Sequence, residues 1–531
     1  MNCLAVETEG RVLVVDCGVL FGNDEAGIEL LHPGFEYLVS RRDDIEGVVL
    51  THGHEDHLAG VPYLLREIDV PVYGGSYALQ LLKSKTAESE LNLQPMSRTC
   101  AVGETLHLGP FEVTPFAMPH SIIQNTGLLV EMRAGRLLHT GDFKLDIRSA
   151  DKGSRALNTL RTAAKGGIDL MLCDSTGAEE SESAGAESQV LIGLERLFQE
   201  THSRIFAAVF SSNIRRIETV LTLSKKYGRK VVLCGRSVQN HFRCASAVSA
   251  VDAPTDHIIS LDEAVELPRD KVTVLISGTQ GEHRSALSRT AAGNHHLLNA
   301  DPDDLVVLSS RFIPGNELSI SRMIDRLLLQ GARVIHRGIM PEVHVSGHGG
   351  REEIRRAVEA AAPRCFVPIH GTYRHLTACA DIAAETGCRQ IQIVGNGRIL
   401  KCDSEGLTAG EIGVPSRRVF VDRGGTLSES AVKERRILGV SGVLCVSAVF
   451  DATSVSVQSV GVMSRGVVSS EAAETLHDLI SAKAITLAAE LDLSRPDPQE
   501  TLRAGLRAGL RKFLIKQFSR EPMVLVTILN G

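Results

Sequence analysis

At 531 residues the chain is too long for one hydrophobic core and divides into roughly three domains. Its 43% hydrophobic and 23% charged side chains exclude general disorder, and a net charge of −7 excludes a global positive field for holding nucleic acid. Any such binding is local, with bound divalent cations able to supply the charge.

The opening MNCLAVETEGRVLVVDCG has no basic start followed by a long apolar core, and the longest apolar run, 437–450, is broken by Gly and Ser. It is shorter than the ~20 residues a membrane-spanning helix needs. A cytoplasmic protein with no membrane contact is expected. The eleven cysteines contain no CxxC pair and are odd in number, which argues against a disulfide framework and against a cysteine-built zinc site.

In chain order, RVLVVDCG, IEGVVLTH, FEVTPFAM, RLLHTGD and DLMLCDST read as strands that deliver polar residues at their ends. From Gly177 to about Val345 the pattern changes. The Ser/Glu/Ala-rich GAEESESAGAES opens the helical VLIGLERLFQETH, and the strands RIFAAVF, RKVVLCG, KVTVLISG and DLVVLSS alternate with helices. This predicts a separate α/β unit. CFVPIHGTYRHL then returns to the style of the first part. From about Glu411, turn-rich sequence leads into the strands VLCVSAVFD and SVSVQSVGV and a long helix around Pro498 to Phe518, a small α+β domain. Within that helix RAGLRAGL reads as amphipathic spacing rather than a structural repeat.

The chemistry concentrates in THGHEDH, where three imidazoles and two carboxylates fall within the six residues His52 to His57, after a strand and before a helical run. Residues two apart at a strand end point the same way, so His52 and His54 chelate one ion, while Asp56 and His57, past the turn, reach a second. Imidazole and carboxylate donors suit zinc first and manganese second. Two ions about 4 Å apart need a bridging group and further ligands. Strand-end candidates are His120, Asp142 and His370, with Gly141 permitting a tight turn and Lys144 two residues beyond.

HxHxDH, a distant His, a GD and a later strand-end His resemble the metallo-β-lactamase fold, two facing sheets flanked by helices. CDST, FSSNIRRI, SGTQGE, SALSR, SSRFIPGNE, HVSGHG and PIHG, in that order, narrow the resemblance to the β-CASP nucleases and, within them, to the ribonuclease J family. The resemblance implies an α/β protein: a metallo-β-lactamase αββα sandwich split over 1–176 and 346–425, an inserted β-CASP α/β domain over 177–345, and a small C-terminal α+β domain over 426–531. It implies that His52, His54 and His120 hold one metal, that Asp56, His57 and His370 hold the other, and that Asp142 bridges them. A metal-bridging hydroxide is then the nucleophile, and the products carry a 5′-phosphate and a 3′-hydroxyl. HVSGHG is the family's phosphate-binding segment. The resemblance implies that a histidine of this segment serves the leaving group, taken here as His344, while Ser346 and His348, two apart on one face of an extended segment, contact phosphate with Val345 and Gly347 alongside. Asp174 is assigned to orienting a ligand, and Ser212, Asn213 and Arg215 to contacting RNA.

The function expected is an RNA phosphodiester hydrolase, a 5′-to-3′ exonuclease, an endonuclease or both, in RNA maturation and decay. Its substrate is single-stranded, 5′-monophosphorylated RNA, its state a homodimer or homotetramer, and other RNA-decay proteins are its partners. A DNA-directed β-CASP nuclease, a smaller-substrate esterase and a catalytically weak RNA-binding scaffold are the rivals; the complete ligand set stands against the last. The family begins with a Gly-rich turn and strand upstream of MNCLAVE, so an edge strand is expected to be missing. HSIIQN lacks the family's Pro-Asp, Thr372 stands where an acid is usual, and His283-Arg284 replace Pro-Met. None of these touches a ligand.

Overall fold

A computed structural model describes residues 1–22, 26–88, 97–147, 150–180, 185–313, 315–423, 425–493 and 496–531. Parts of the Ser/Glu/Ala-rich stretch (181–184), of SSRFIPGNE (314) and of the turn-rich segment after Glu411 (424) lie outside them. The chain forms two compact units, Met1–Val19 with Pro33–Arg417, and Leu20–His32 with Arg418–Gly531.

The first unit contains two facing sheets. One orders the strands Leu4–Thr8, Arg11–Val15, Ile45–Val49, Val72–Gly74 and Ser97–Thr99. The other orders Gln390–Ile391, Cys365–Ile369, Leu170–Asp174, Gly135–His139, Thr126–Met132, Phe111–Ala117 and Leu106–Leu108. Alternation sends Leu13, Val15 and Val49 of the first sheet against Phe111, Val113, Leu128 and Val130 of the second, forming the layer between them. The opposite faces are covered too: the helices Ala150–Ala163, Arg351–Ala361 and Tyr373–Glu385 bring Leu160, Val358 and Ile382 onto the second sheet. This is the αββα sandwich. Its metal-bearing edge forms where Ile45–Val49, Gly135–His139, Leu170–Asp174 and Cys365–Ile369 end, so loops far apart in sequence meet there.

Between the two halves of the sandwich, Lys230–Cys234, Val272–Ile276, Ile205–Val209, Leu305–Ser309 and Arg333–His336 form an all-parallel sheet. Its near-continuous apolar strands are covered by helices on both faces, as parallel sheets require. This is the α/β unit expected from the change of pattern after Gly177.

In the second unit, Met523–Asn530 pairs parallel and Ser456–Arg465 antiparallel with the central Val443–Asp451. The helices Ala473–Ala489 and Pro498–Phe518 cover one face. Leu502, Leu506, Leu510 and Leu514, four apart, are fully buried, so RAGLRAGL is a helical stripe. Gly505 and Gly509 lie so close to Leu491 and Leu487 that a Cβ would stand 2.5 and 2.7 Å from their methyl carbons, which lets the two helices approach closely.

The run 437–450 spans the end of the helix Glu429–Ser441 and, after Gly442 at φ 77° turns the chain, the expected strand Val443–Asp451. One feature differs from the expectation. Leu20–His32, assigned by sequence to the catalytic domain, instead belongs with the C-terminal residues. There Leu20–Phe21 and Leu30–Pro33 extend a sheet with Arg418–Asp422 and Gly425–Leu427, and the boundary falls after Arg417 rather than at 425. Ala26, Ile28 and Val432 close the small core under it.

Truncating the stripe by Leu510→Ala is expected to cost about 2–5 kcal/mol, read as a lower denaturation midpoint for the C-terminal unit by hydrogen exchange. An unchanged midpoint would contradict the packing described.

Candidate metal centre

His52 follows the strand Ile45–Val49, His54 precedes the short helix Glu55–Leu58, and Asp56 and His57 lie inside it, so the turn within THGHEDH divides the ligands into two groups. His52 Nε2 lies 3.0 Å from His54 Nδ1, His120 Nε2 lies 3.2 Å from the same atom, and Asp142 Oδ2 lies 3.7 Å from both His52 Nε2 and His120 Nε2. Donors bound at about 2.0–2.1 Å to one tetrahedral ion stand about 3.4 Å apart, and these separations bracket that value. Burial, reinforced by the neighbouring imidazoles, pushes His54 down to about 4 and His52 and His120 well below the ordinary value. All three are neutral at neutral pH, as ligands must be.

The second group forms on the other side of Asp142. His57 Nε2 is 3.3 Å from Asp142 Oδ2 and 3.7 Å from Asp56 Oδ2, while His370 reaches Asp56 Oδ2 at 3.0 Å and Asp142 Oδ1 at 2.9 Å. Burial opposes any charge here. Even so, Asp142, Asp56 and Asp16 lift His57 up to about 10, and Asp142, Asp174 and Asp56 lift His370 well above its usual range. So many carboxylates packed together demand positive charge, and a divalent cation held by the same atoms supplies it in place of those protons. Both donor sets therefore fit a metal, with Asp142 common to the two.

Backbone geometry is spent on this placement. Gly141, at φ 58°, passes so close to Thr126 that a Cβ would sit 2.4 Å from its carbonyl oxygen. His370 (φ 54°) and Asp16 (φ 60°) also adopt the left-handed conformation, which costs a residue other than glycine about 1–3 kcal/mol. Asp16, which sequence reasoning passed over, accepts His57 Nδ1 at 2.7 Å, the Thr51 hydroxyl at 2.8 Å and the Thr51 N–H at 2.8 Å. It fixes the ring so that Nε2 faces Asp142. The signal was present in the sequence as an acid closing the strand RVLVV, in the same style as HTGD and LCDS. Asn2 also reaches His57 Nε2, at 3.0 Å, and Ser212 holds His54 Nε2 at 3.1 Å.

HVSGHG, the segment expected to bind phosphate, is divided rather than aligned on one face. His348 donates through Nδ1 to the Asp174 carboxylate at 2.7 Å and turns Nε2 toward Asp142, 4.0 Å away. Asp174 also accepts the Thr176 hydroxyl and N–H, and lies 3.4 Å from His370. His344, expected to donate the proton, is 5% exposed, packs against Phe210 and meets the Ser309 backbone. Burial beside Arg216, Arg337 and Lys144 keeps it unprotonated, and its Nδ1 has no partner. The cause is a turn: the Ser346 hydroxyl accepts the N–H of His348, which breaks the extended alternation. Val345 is buried against Gly185, and Gly347 gives its carbonyl to His120 Nδ1 at 2.6 Å where a Cβ would lie 2.7 Å from the Ser121 hydroxyl.

Lys144, buried, donates to the Ser346 carbonyl at 3.1 Å and pairs with Glu187 at 3.4 Å. Glu187 in turn holds Arg216 at 2.8 Å, whose guanidinium reaches the Val343 carbonyl at 3.3 Å. Of the RNA-contact candidates, Asn213 is buried and caps the helix Ile214–Lys226 by accepting the Arg216 N–H, and Arg215 is exposed and paired with Glu218. Only Ser212 meets the metal cluster.

Comparison with known proteins agrees with this arrangement. Models described as "Metallo-beta-lactamase superfamily", "Ribonuclease J, beta-CASP domain", "Zn-dependent metallo-hydrolase RNA specificity domain" and "Ribonuclease J C-terminal domain" match residues 2–167, 202–327, 339–394 and 430–531. Ribonuclease J of Mycobacterium tuberculosis is 34% identical over 537 residues, covering 100% of this chain and 95% of that protein. The chain belongs to the ribonuclease J family. Ribonuclease J of Thermus thermophilus is 33% identical, covering 100% of this chain and 93% of that protein, and ribonuclease J of Synechocystis is 31% identical, covering 99% and 84%. A solved structure of a protein of unknown function from Enterococcus faecalis superposes with a TM-score of 0.53 at 15% identity, over 79% of this chain and 96% of that one, a likeness of fold. As a ribonuclease J family member the chain is a metal-dependent ribonuclease that binds divalent cations and acts on RNA.

Asp16→Asn keeps the size of the side chain but weakens the hold on His57, and is expected to lower affinity for the metals ten- to a hundredfold, measured by competition with a chelator. Unaltered affinity would remove Asp16 from the site.

Proposed function

We propose that this ribonuclease cleaves single-stranded, 5′-monophosphorylated RNA as a 5′-to-3′ exonuclease, an endonuclease or both, leaving a 5′-phosphate and a 3′-hydroxyl. Zinc is its preferred ion and manganese the alternative. The carrying observation is the Asp142 carboxylate between the two donor sets, 3.7 Å from His52 and His120 on one side, 3.3 Å from His57 and 2.9 Å from His370 on the other, with the His348–Asp174 pair beside it. Two cations held by His52, His54 and His120 and by Asp56, His57 and His370, with Asp142 common to both, would supply the positive charge that activates water and neutralises phosphate oxygens.

The chain's own groups supply the rest. Asp142 and His370 fix the spacing of the two donor sets, and Asp16 and Thr51 set the orientation of His57 and His52. His348 takes the proton-donating role: burial opposes its charge, but Asp174 at Nδ1 and Asp142 beyond it raise the imidazole above its ordinary value, which favours the protonated form that serves the departing 3′ oxygen. The donor set of imidazole and carboxylate alone supports zinc, and the matching RNA specificity model is described as zinc-dependent.

A cytoplasmic homodimer or homotetramer that works with other RNA-decay proteins belongs to the same reading. Among the described residues no helix is long and apolar enough to cross a membrane. Met463 and Leu525 flank Cys445 in one row of the C-terminal sheet turned away from its helices, an apolar surface suited to association.

Metal-stripped protein reloaded with zinc or manganese is to be given 5′-monophosphorylated RNA, 5′-triphosphorylated RNA and single-stranded DNA. The monophosphorylated RNA is expected to be cut fastest, and Asp56→Ala to abolish cutting; undiminished activity in that variant would refute the mechanism. His348→Ala is expected to lower kcat about 10²- to 10⁴-fold with the metals retained. A normal kcat would return the proton donor to another group.

A further inference from the structure

The chain is poor in aromatic side chains, with six tyrosines, fifteen phenylalanines and no tryptophan, and nearly all are wholly or partly buried. Two are exposed, Phe21 at 70% and Tyr373 at 69%, and Phe21 belongs to the hairpin of the C-terminal unit. Tyr373 is therefore the one exposed aromatic ring of the catalytic unit, and it stands three residues after the metal ligand His370.

Its position on the helix gives it a direction. Tyr373 is the first residue of Tyr373–Glu385, with Thr372 as N-cap, and Cα–Cβ bonds in a helix lean toward its N-terminus. That end is where His370 and Asp56 meet. The neighbouring Arg374, its side chain 74% exposed, is turned aside to Glu179, which also lies 3.6 Å from His375. Among the described residues the Tyr373 ring and hydroxyl make no hydrogen bond, ion pair or ring contact; only its backbone carbonyl is engaged, accepting the Thr377 hydroxyl at 2.9 Å. An exposed ring at the start of a helix, three residues after a histidine of the metal-binding cluster in a ribonuclease, matches the platforms on which single-stranded bases stack.

We propose that Tyr373 stacks on a nucleobase flanking the scissile phosphate, positioning the strand over the metals without selecting its sequence. The inference rests on RNA being the substrate, which family membership supplies. Stacking needs only a π-face, so any of the four bases is accepted, and the phosphate is presented in one register relative to Asp142 and His348. The residue is a binding residue: it takes no part in bond making or breaking.

The test uses the full, metal-loaded chain and single-stranded RNA oligonucleotides, either intact or with an abasic nucleotide placed on one or the other side of the cleaved bond. Tyr373→Ala is expected to raise KM about tenfold with little change in kcat, and Tyr373→Phe to stay within about twofold of the native chain. At one of the two positions the abasic nucleotide is expected to weaken binding to the native chain by a similar factor and to leave Tyr373→Ala unaffected, because the ring's partner is already gone. Equal KM for all three chains, or an abasic penalty that persists in Tyr373→Ala, would overturn the proposal. Native cleavage of intact RNA in the same experiment separates either result from a failure of the ribonuclease reading. Tyr373→Leu, which keeps the bulk without the π-face, is expected to behave as Tyr373→Ala, and native-like KM in it would also count against stacking.

Discussion

The organisation of this enzyme depends on one repulsion: Asp16, Asp56, Asp142 and Asp174 crowd around the same few imidazoles at the edge of a sandwich, largely out of water. Carboxylates packed that way are tolerated only if positive charge is held among them. Protonated His57 and His370 answer the demand in one state and divalent cations in the other. The fold as a whole serves to bring these groups together, since their strands are separated by hundreds of residues yet end at a common edge. Asp142 and His370, on strands that flank Leu170–Asp174, are close because that sheet's parallel register aligns its strand ends.

The ligands were legible because THGHEDH is dense enough to leave packing no role, and because each remaining ligand closes an apolar strand. The sandwich and the inserted parallel sheet were legible from the change between alternating and continuous apolar runs. What escaped was decided by local geometry that residue types do not carry. His344, Ser346 and His348 have the spacing of one strand face, but a hydrogen bond from the His348 N–H to the Ser346 hydroxyl turns the chain and sends the two imidazoles to different neighbours. Asp16 looked like any strand-end acid until its left-handed backbone aimed it at His57. The helix Glu429–Ser441 was hidden because its last apolar residues run into the following strand with only Gly442 to mark the break.

The inserted α/β unit does more than enlarge the molecule. Ser212 at the end of one of its strands touches His54, and its Arg216 joins Glu187, Lys144 and the carbonyls of Val343 and Ser346 in a buried ionic chain. Removing one member of such a chain strands a charge in a dry interior, at about 3–5 kcal/mol. The segment that carries His348 is thereby held from both sides, by charges of the insertion and by the Gly347 carbonyl on His120. Placement of His348 beside Asp142 and Asp174 is a property of the two domains jointly.

The hairpin Leu20–His32 completes its sheet with Arg418–Asp422, so a segment made at the start of translation waits for one made near its end. Until residues 418–422 have been made the strand Leu30–Pro33 has an unpaired edge, and until Val432 has been made Ile28 lacks its cover. His370, too, arrives more than 300 residues after His57. For most of synthesis, then, Asp56 stands without the imidazole that joins it to Asp142, and the centre closes only as the last third of the chain arrives.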